Sequence, residues 1–445
     1  MVQEHIKIRK HSNKQIHKPY RYLYKQGQFN YNTSMSKIIR GHKIRLYPND
    51  QQATYFSKAC GVARKAFNWA LESWQKQYAA YQLDNSLTKP NQMALRRELN
   101  AIKKEQFPWM MEVTKCAPQL AIMQLGDAYN NFFKKKSKAP CFRKRGKDDR
   151  FSISNDQFKI DENKISIPKL GWVRMAEKLR FKGKLIEATI SRIADKWFVS
   201  IAVELDSTNV FKRTDNQGVV GIDLGIKTAV VPSKGDSFTS PQPLKTLLKR
   251  LQHLSKALSR KQKRSKNYAK AQVRLAKLHA RIRNIRQDWL HKVTTYLVRT
   301  FNVLSIEDLN VSGMIKNRKL SRAISDIGFY EFRRQLEYKA KVYHAEIKVA
   351  DRWFASSKTC SCCEHVLDKL ELSTRTWTCP NCNTEHDRDW NAAKNLEKLA
   401  GSQPASVCGE ESSDICDVYT NVKLSSMKQK INSESVNDQI CVSLM

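Results

Sequence analysis

Polar and apolar residues alternate through KIIRGHKIRLYP (37–48), a period of two that ends at a proline and predicts a β-strand. From Asp50 the period lengthens. Phe56, Cys60, Ala63, Phe67, Ala70, Trp74, Tyr78 and Tyr81 recur at steps of three and four, the apolar stripe of an amphipathic helix. More helix is predicted through NQMALRRELNAI (91–102) and APQLAIMQLGDAYNNFF (117–133), ending in the basic run KKKSKAPCFRKRGK (134–147). Residues 151–205 return to a period of two around the short turns DEN and ADK, which predicts antiparallel hairpins of a small β-barrel. If the first strand joins them, residues 37–49 and 150–208 make the barrel and 50–149 is a helical insertion into it.

A polar linker leads to GVVGIDLGIKTAVVPSKGDSFTS (218–240), read as a buried strand, a glycine turn and two short strands. Leu244, Leu247, Leu251, Leu254 and Leu258 then follow a heptad. After RKQKRSKN a second series runs Leu275, Leu278, Ile282, Ile285 and Trp289, so two helices folded into a hairpin satisfy both stripes. FNVLSIEDLN (301–310) is an apolar strand ending in carboxylates, YEFRRQLEYKAKVYHA (330–345) a helix, EIKVADRW (346–353) a strand and NAAKNLEKLA (391–400) a short helix. Residues 1–36 show no period and are expected to be a basic flexible arm; the polar, serine-rich 401–445 is expected to be a disordered tail.

Charge changes this picture from a fold to a binding protein. The 445 residues, enough for two to four domains, carry 80 Lys and Arg against 42 Asp and Glu, a formal charge of +38. Such an excess repels itself unless a polyanion neutralises it, and nucleic acid is the first candidate. Between Lys245 and Gln287 there are 15 Lys or Arg and no Asp or Glu. A solvated helix face mixes signs to gain pairs along the helix, so this hairpin is expected to lie against a polyanion. Candidate contacts are Arg64, Lys65 and Asn68 on the first helix, Arg143 and Arg145 in the basic run, and Lys261, Lys263 and Arg264 at the hairpin turn. For each of these a solvated helix or loop face is the alternative. The amino terminus lacks an apolar leader and no apolar run reaches membrane length, so a cytoplasmic protein, nucleoid-associated in a prokaryote, is expected.

In that reducing compartment the 11 cysteines favour metal ligation over disulfides. Cys360 and Cys363, then Cys379 and Cys382, form two Cys-x-x-Cys pairs 15 residues apart, the spacing of a closed four-cysteine zinc ribbon. Cys362 and His386 are nearby alternatives. A closed site leaves no position for water, so chemistry must lie elsewhere. Asp223 sits inside the apolar VVGIDLGI, Glu307 ends VLSIED, and Asp389 opens the last helix. A carboxylate in a buried strand is costly without a cation, and three at strand and helix ends suggest a shared Mg2+ site. Two such ions could clamp the attacking and leaving oxygens of a phosphodiester. The alternative for each is an ion pair or a helix cap, with Asp308 and Asp387 as close neighbours of the chosen ligands.

GIDLGIKTAV, SIEDLNVSGM, the two cysteine pairs and HDRDWNAAKNL, in that order, resemble the split RuvC motifs and zinc ribbon of the TnpB (OrfB) family of insertion-sequence proteins, relatives of the type V CRISPR effectors. The resemblance runs from about residue 38 to 398. It implies a multidomain α+β protein: a wedge-like barrel with a helical recognition insertion, then an RNase H-like (RuvC) α/β nuclease over 216–355 and 386–400, with the zinc ribbon at 356–385. It further implies an RNA-guided DNA endonuclease with Mg2+ on Asp223, Glu307 and Asp389, structural Zn2+, a guide RNA from the element's own transcript, and target DNA opened beside a short flanking motif. A guided DNA-binding repressor that does not cut, or a transposase proper, is the alternative function. Two residues depart from the family pattern: Asn383 stands where glycine is common, and Trp390 is bulky for its place between Asp389 and Asn391.

Overall fold

The computed structural model describes residues 37–206, 217–371 and 373–402; the expected amino-terminal arm and nearly all of the expected tail lie outside these. Strand β1 (Lys37–Tyr47) runs into helix α1 (Asp50–Leu83) through Asn49, whose side chain accepts from the Gln52 backbone while the Gln52 side chain accepts from its own. This reciprocal capping box starts the helix where the period changed. Helices α2 (Gln92–Gln106) and α3 (Cys116–Phe133) follow, and α3 packs along α1, with Trp74 and Tyr129 stacked at 4.4 Å.

Strands β2 (Arg150–Ser154), β3 (Lys159–Asp161), β4 (Lys164–Ile167), β5 (Gly171–Met175), β6 (Lys184–Ile193) and β7 (Lys196–Asp206) complete the first half. Their turns fall at DEN and ADK as the pattern predicts, with Glu162 and Ala194 in the left-handed region at φ 45° and 55°. The strands form one antiparallel sheet in the order β2-β6-β7-β1-β5-β4-β3. β1 does join the later hairpins and sits centrally between β7 and β5, so the helices are inserted between two strands of one sheet, β1 and the edge strand β2. Among the described residues no ladder joins β2 to β3, so the backbone bonds draw a seven-stranded sheet without the closure that the expected barrel requires. Helices and sheet share one core, in which Phe56 of α1 meets Trp197 of β7 at 5.1 Å.

The second half is built on β8 (Val219–Asp223), β9 (Val231–Pro232), α4 (Pro243–Ser259), α5 (Lys266–Thr300), β10 (Val303–Glu307), α6 (Val311–Lys316), α7 (Ser321–Ile327), α8 (Phe329–Tyr343), β11 (Glu346–Ala350), β12 (Thr376–Thr378), β13 (Glu385–Asp387) and α9 (Arg388–Ser402). The order β11-β10-β8-β9 makes a mixed sheet, parallel except for β9, with its own core of Val220, Ile222, Leu304, Ile306 and residues of α5 and α8. β12 and β13 pair separately in the ribbon region. The two leucine stripes form the α4–α5 hairpin. Buried Asp326 of α7 anchors it: its two carboxylate oxygens accept from the Leu244 and Lys245 backbone at 3.0 Å, and Arg286 of α5 donates to it. A carboxylate on the positive end of α4 satisfies two of its orphan backbone donors with charge of the right sign.

Candidate active site and metal centre

Strands β8 and β10 run parallel in register, Val303 with Val219 through Ile306 with Ile222, so the next residues, Glu307 and Asp223, emerge side by side at the same end of the sheet. Helix α9 crosses β8 at Gly221. There a Cβ would stand 1.9 Å from the Ala393 carbonyl oxygen and 2.4 Å from the Glu397 nitrogen, so only glycine admits so close a backbone approach. That contact brings the first turn of α9, and with it Asp389, to the strand ends; a Cβ on Gly225 would lie 3.9 Å from Asp389 Oδ2.

Asp223 is 8% exposed, and its carboxyl titrates well above the usual aspartate range. Burial is the largest cause, followed by the negative charges of Glu307 and Asp389; the Leu224 backbone N–H and Arg388 oppose them. The three carboxylates therefore feel one another. Ser356 Oγ donates to Glu307 Oε1, and Arg375 Nη1 donates to Asp389 Oδ1 at 3.2 Å. The neighbouring acids do other work. Asp308 is held by Arg333 at 2.8 Å and by Arg352, and Asp387 caps α9 by accepting from the Trp390 nitrogen at 2.9 Å. Because Asp387 is the cap, the Asp389 carboxylate is left to face Asp223.

Among the described residues, the groups of three or more ligand atoms gathered within 4.8 Å of one another are Cys360, Cys363, Cys379 and Cys382, and the overlapping Cys360, Cys362 and His386; Asp223, Glu307 and Asp389 are spaced more widely. In the first, Cys360 Sγ lies 3.6 Å from Cys382 Sγ and Cys363 Sγ 3.6 Å from Cys379 Sγ. Zn–S bonds of about 2.3 Å in a tetrahedron place sulfurs about 3.8 Å apart, so the four thiols fit a zinc ion. His386, buried beside Trp377, stands 3.0 Å from Cys360 Sγ and serves as a hydrogen-bond partner of that sulfur. Asn383 adopts φ 58°, the left-handed conformation for which the family uses glycine.

The proposed nucleic-acid contacts divide. Arg64 is spent on Asp149 at 2.9 Å; Asn68 pins the Arg143 backbone by bonds of 3.0 and 2.7 Å; and buried Arg143 stacks 3.7 Å from the Phe67 ring and donates to Gln124. These three tie the segment after α3 to α1 and α3, so each has a structural partner within the chain. Lys65 lies over the Phe107 ring at 5.0 Å. Arg145, Lys261, Lys263 and Arg264 are exposed, the last three at the hairpin turn. Sequence reasoning missed Gly221, Ser356, Arg375 and Asp326. It also missed buried Asn391, which donates to the Thr359 carbonyl and accepts from the Ser361 nitrogen, binding α9 to the first cysteine knuckle.

Comparison with known proteins gives the family. A "Putative RNA-guided DNA endonuclease" of Streptomyces pristinaespiralis is 37% identical over 385 residues, 84% of this chain and 92% of that protein. The chain belongs to the TnpB (OrfB) family. InsQ of Escherichia coli, with the same description, is 32% identical over 394 residues, 84% of this chain and 95% of its own. Family models described as "Probable transposase", "Cas12f1-like, TNB domain" and "Helix-turn-helix domain" match residues 200–318, 329–396 and 35–82. Over the last range the structure holds β1 and the single long helix α1. A solved Cas12f1–sgRNA–target DNA complex shares the fold at TM-score 0.54 and 13% identity, over 81% of this chain and 99% of that one. Among the described residues no helix is long and apolar enough to cross a membrane.

Proposed function

We propose that this TnpB-family protein is an RNA-guided DNA endonuclease of a transposable element, cutting DNA at an RNase H-like (RuvC) site formed by Asp223, Glu307 and Asp389. The observation that carries the reading is the convergence of these carboxylates from β8, β10 and α9, with Asp223 held out of its normal titration range by burial and by the other two. Three carboxylates close enough to raise the Asp223 pKa suit a hard divalent cation, and all three side chains offer the oxygens Mg2+ prefers. Mg2+ supplies Lewis acidity at a scissile phosphodiester. The protein's own share is positional: Ser356 fixes the Glu307 carboxylate, Arg375 balances Asp389, and the close contact at Gly221 sets the distance between helix and strands. Family relatives and the +38 charge support a guide RNA and target DNA as the partners, with the cationic hairpin and the exposed Arg145 tracking phosphates. The zinc ribbon is structural in this reading.

The test is to purify the chain with the RNA it retains, supply the matching DNA target, and compare cleavage with Asp223→Ala. A retained RNA species, cutting that requires Mg2+, and loss of cutting but not of target binding in the variant are expected. Undiminished cutting by Asp223→Ala refutes the site. The transposase alternative, kept alive by the description of the matching family model, predicts joined strands among the products. A repressor predicts binding without cutting in the parent protein.

A further inference from the structure

Two tryptophans adjoin the carboxylate region with their indoles reaching solvent. Trp353 is 86% exposed, well above every other described tryptophan; Trp390 is 45% exposed, comparable to Trp109 and Trp172 elsewhere at 42% and 47%, while Trp74, Trp197 and Trp377 are buried. Leaving so large an apolar ring in water is unfavourable, and Trp353 is not there through looseness. Its backbone nitrogen donates to Asp351 Oδ1 at 2.8 Å and the Phe354 nitrogen to the Asp351 carbonyl at 3.1 Å, a tight turn. The turn is anchored on both sides of the ring: Arg352 bonds to Asp308, and Ser356 to Glu307. Trp353 is thus bracketed by contacts to two consecutive residues, one of them a proposed metal ligand. On α9, Trp390 follows Asp389 directly, and Lys394 Nζ lies 3.5 Å from its ring centroid. Arg352 and Arg375, each about half exposed, add positive charge beside the two rings.

Exposed indoles interleaved with cations are what unpaired nucleotides bind, through base stacking and phosphate attraction. We infer that Trp353 is a positioning residue that stacks on an unpaired base of the DNA strand entering the carboxylate site, with the Trp390–Lys394 pair of α9 gripping that strand. This inference rests on the nuclease reading above. A duplex keeps its base faces hidden, so the platform selects a single strand and sets which phosphate reaches Asp223.

The test uses the full-length protein with its copurifying RNA and a single-stranded DNA probe carrying 2-aminopurine, in the Asp223→Asn background, which removes cutting. Quenching of the probe by stacking is expected in the parent and in Trp353→Phe, and is expected to be lost in Trp353→Ala. In the cleaving protein, Trp353→Ala should raise KM by about 5- to 150-fold with a smaller change in kcat, and Trp353→Phe should restore most of it. Equal melting temperatures of the three proteins exclude a folding defect. Unchanged quenching and unchanged KM in Trp353→Ala overturn the inference, as does equal loss in Trp353→Phe. If the parent cuts nothing, the nuclease reading fails by itself, and the quenching arm still decides the stacking role.

Discussion

Gly221→Ala adds one methyl group at the point where β8 and α9 touch, and the structure says how far it must push. The new Cβ would meet the Ala393 carbonyl oxygen at 1.9 Å, the Glu397 nitrogen at 2.4 Å and the Leu396 Cβ at 2.9 Å, against an ordinary contact of 3.4 Å or more. Two of the three obstacles are backbone atoms of a helix, so no side chain can rotate away. To restore contact, α9 must retreat from the sheet by the difference between 1.9 and 3.4 Å, about 1.5 Å. Overpacking of this kind costs about 1–3 kcal/mol of stability. The effect on chemistry should be larger, because Asp389 rides on the first turn of that helix while Asp223 stays on the strand. Misplacing a reacting group by about 1 Å is enough to lose roughly 100-fold in rate. The assay is guided DNA cleavage under saturating Mg2+, with melting temperature measured on the same preparation. Gly41→Ala is the control, since a Cβ there meets nothing within 4 Å. A folded Gly221→Ala protein that cuts at the parental rate would refute the claim that this contact sets the distance between the carboxylates.

Asp326→Ala should cost about 3–5 kcal/mol, because it strips the α4 amino terminus of its acceptor and leaves Arg286 without its carboxylate; limited proteolysis should then cut the α4–α5 hairpin first. Asp223→Asn should abolish cleavage yet raise the melting temperature of the metal-free protein at neutral pH. The folded-state pKa of Asp223 is raised, so its contribution to stability is full below the ordinary aspartate range and is lost as pH rises through the raised value. The advantage of the variant should therefore shrink on acidification and should reverse when Mg2+ is added, as followed by thermal melts across pH; a variant no more stable than the parent at neutral pH would contradict the buried-charge account. Cys363→Ser should lower bound zinc and melting temperature and reduce cleavage while RNA retention persists, read by metal analysis and RNA yield together.

Local periodicity carried the elements well. Strand 37–48, the helices from Asp50 onward, the DEN and ADK turns and the paired leucine stripes all lie where period and turn chemistry put them. What periodicity does not encode is partnership between distant segments. The pairing of β1 with β7 joins Lys37 to Asp206, and nothing local in either strand specifies that register or whether the sheet closes. The same limit hides the intramolecular partners of the candidate contact residues. Arg64 and Asp149 are far apart in sequence, as are Asn68 and Arg143, so their mutual satisfaction appears only once α1 and the basic run are packed. Helices α6 and α7, of 6 and 7 residues, are too short to show a period. Asp223 stands out in the sequence for the opposite reason: a charge inside an apolar strand conflicts with its surroundings, and such conflicts are expected at functional sites.

The adjacency of the cysteine ribbon and Asp389 follows from how their contacts are shared. Asn391 and Asn395, two and six residues past Asp389, bind the backbone of Ser356, Thr359 and Ser361 on the approach to the first cysteine knuckle. Ser356 in that same stretch holds Glu307, and Arg375, just before β12, holds Asp389 and accepts from the Arg388 nitrogen at 2.7 Å through its carbonyl. The segment between β11 and α9 thus supplies a partner to two of the three carboxylates, while Asp223 is fixed by the strand itself. Loops of this length are otherwise mobile, and a carboxylate site tolerates little movement. A zinc ion at the four cysteines would constrain the segment at its two knuckles, making the free energy of metal binding available to hold Ser356 and Arg375 in register with the sheet. A metal that performs no chemistry would in this way act on the proposed site, through the side chains that hold Glu307 and Asp389.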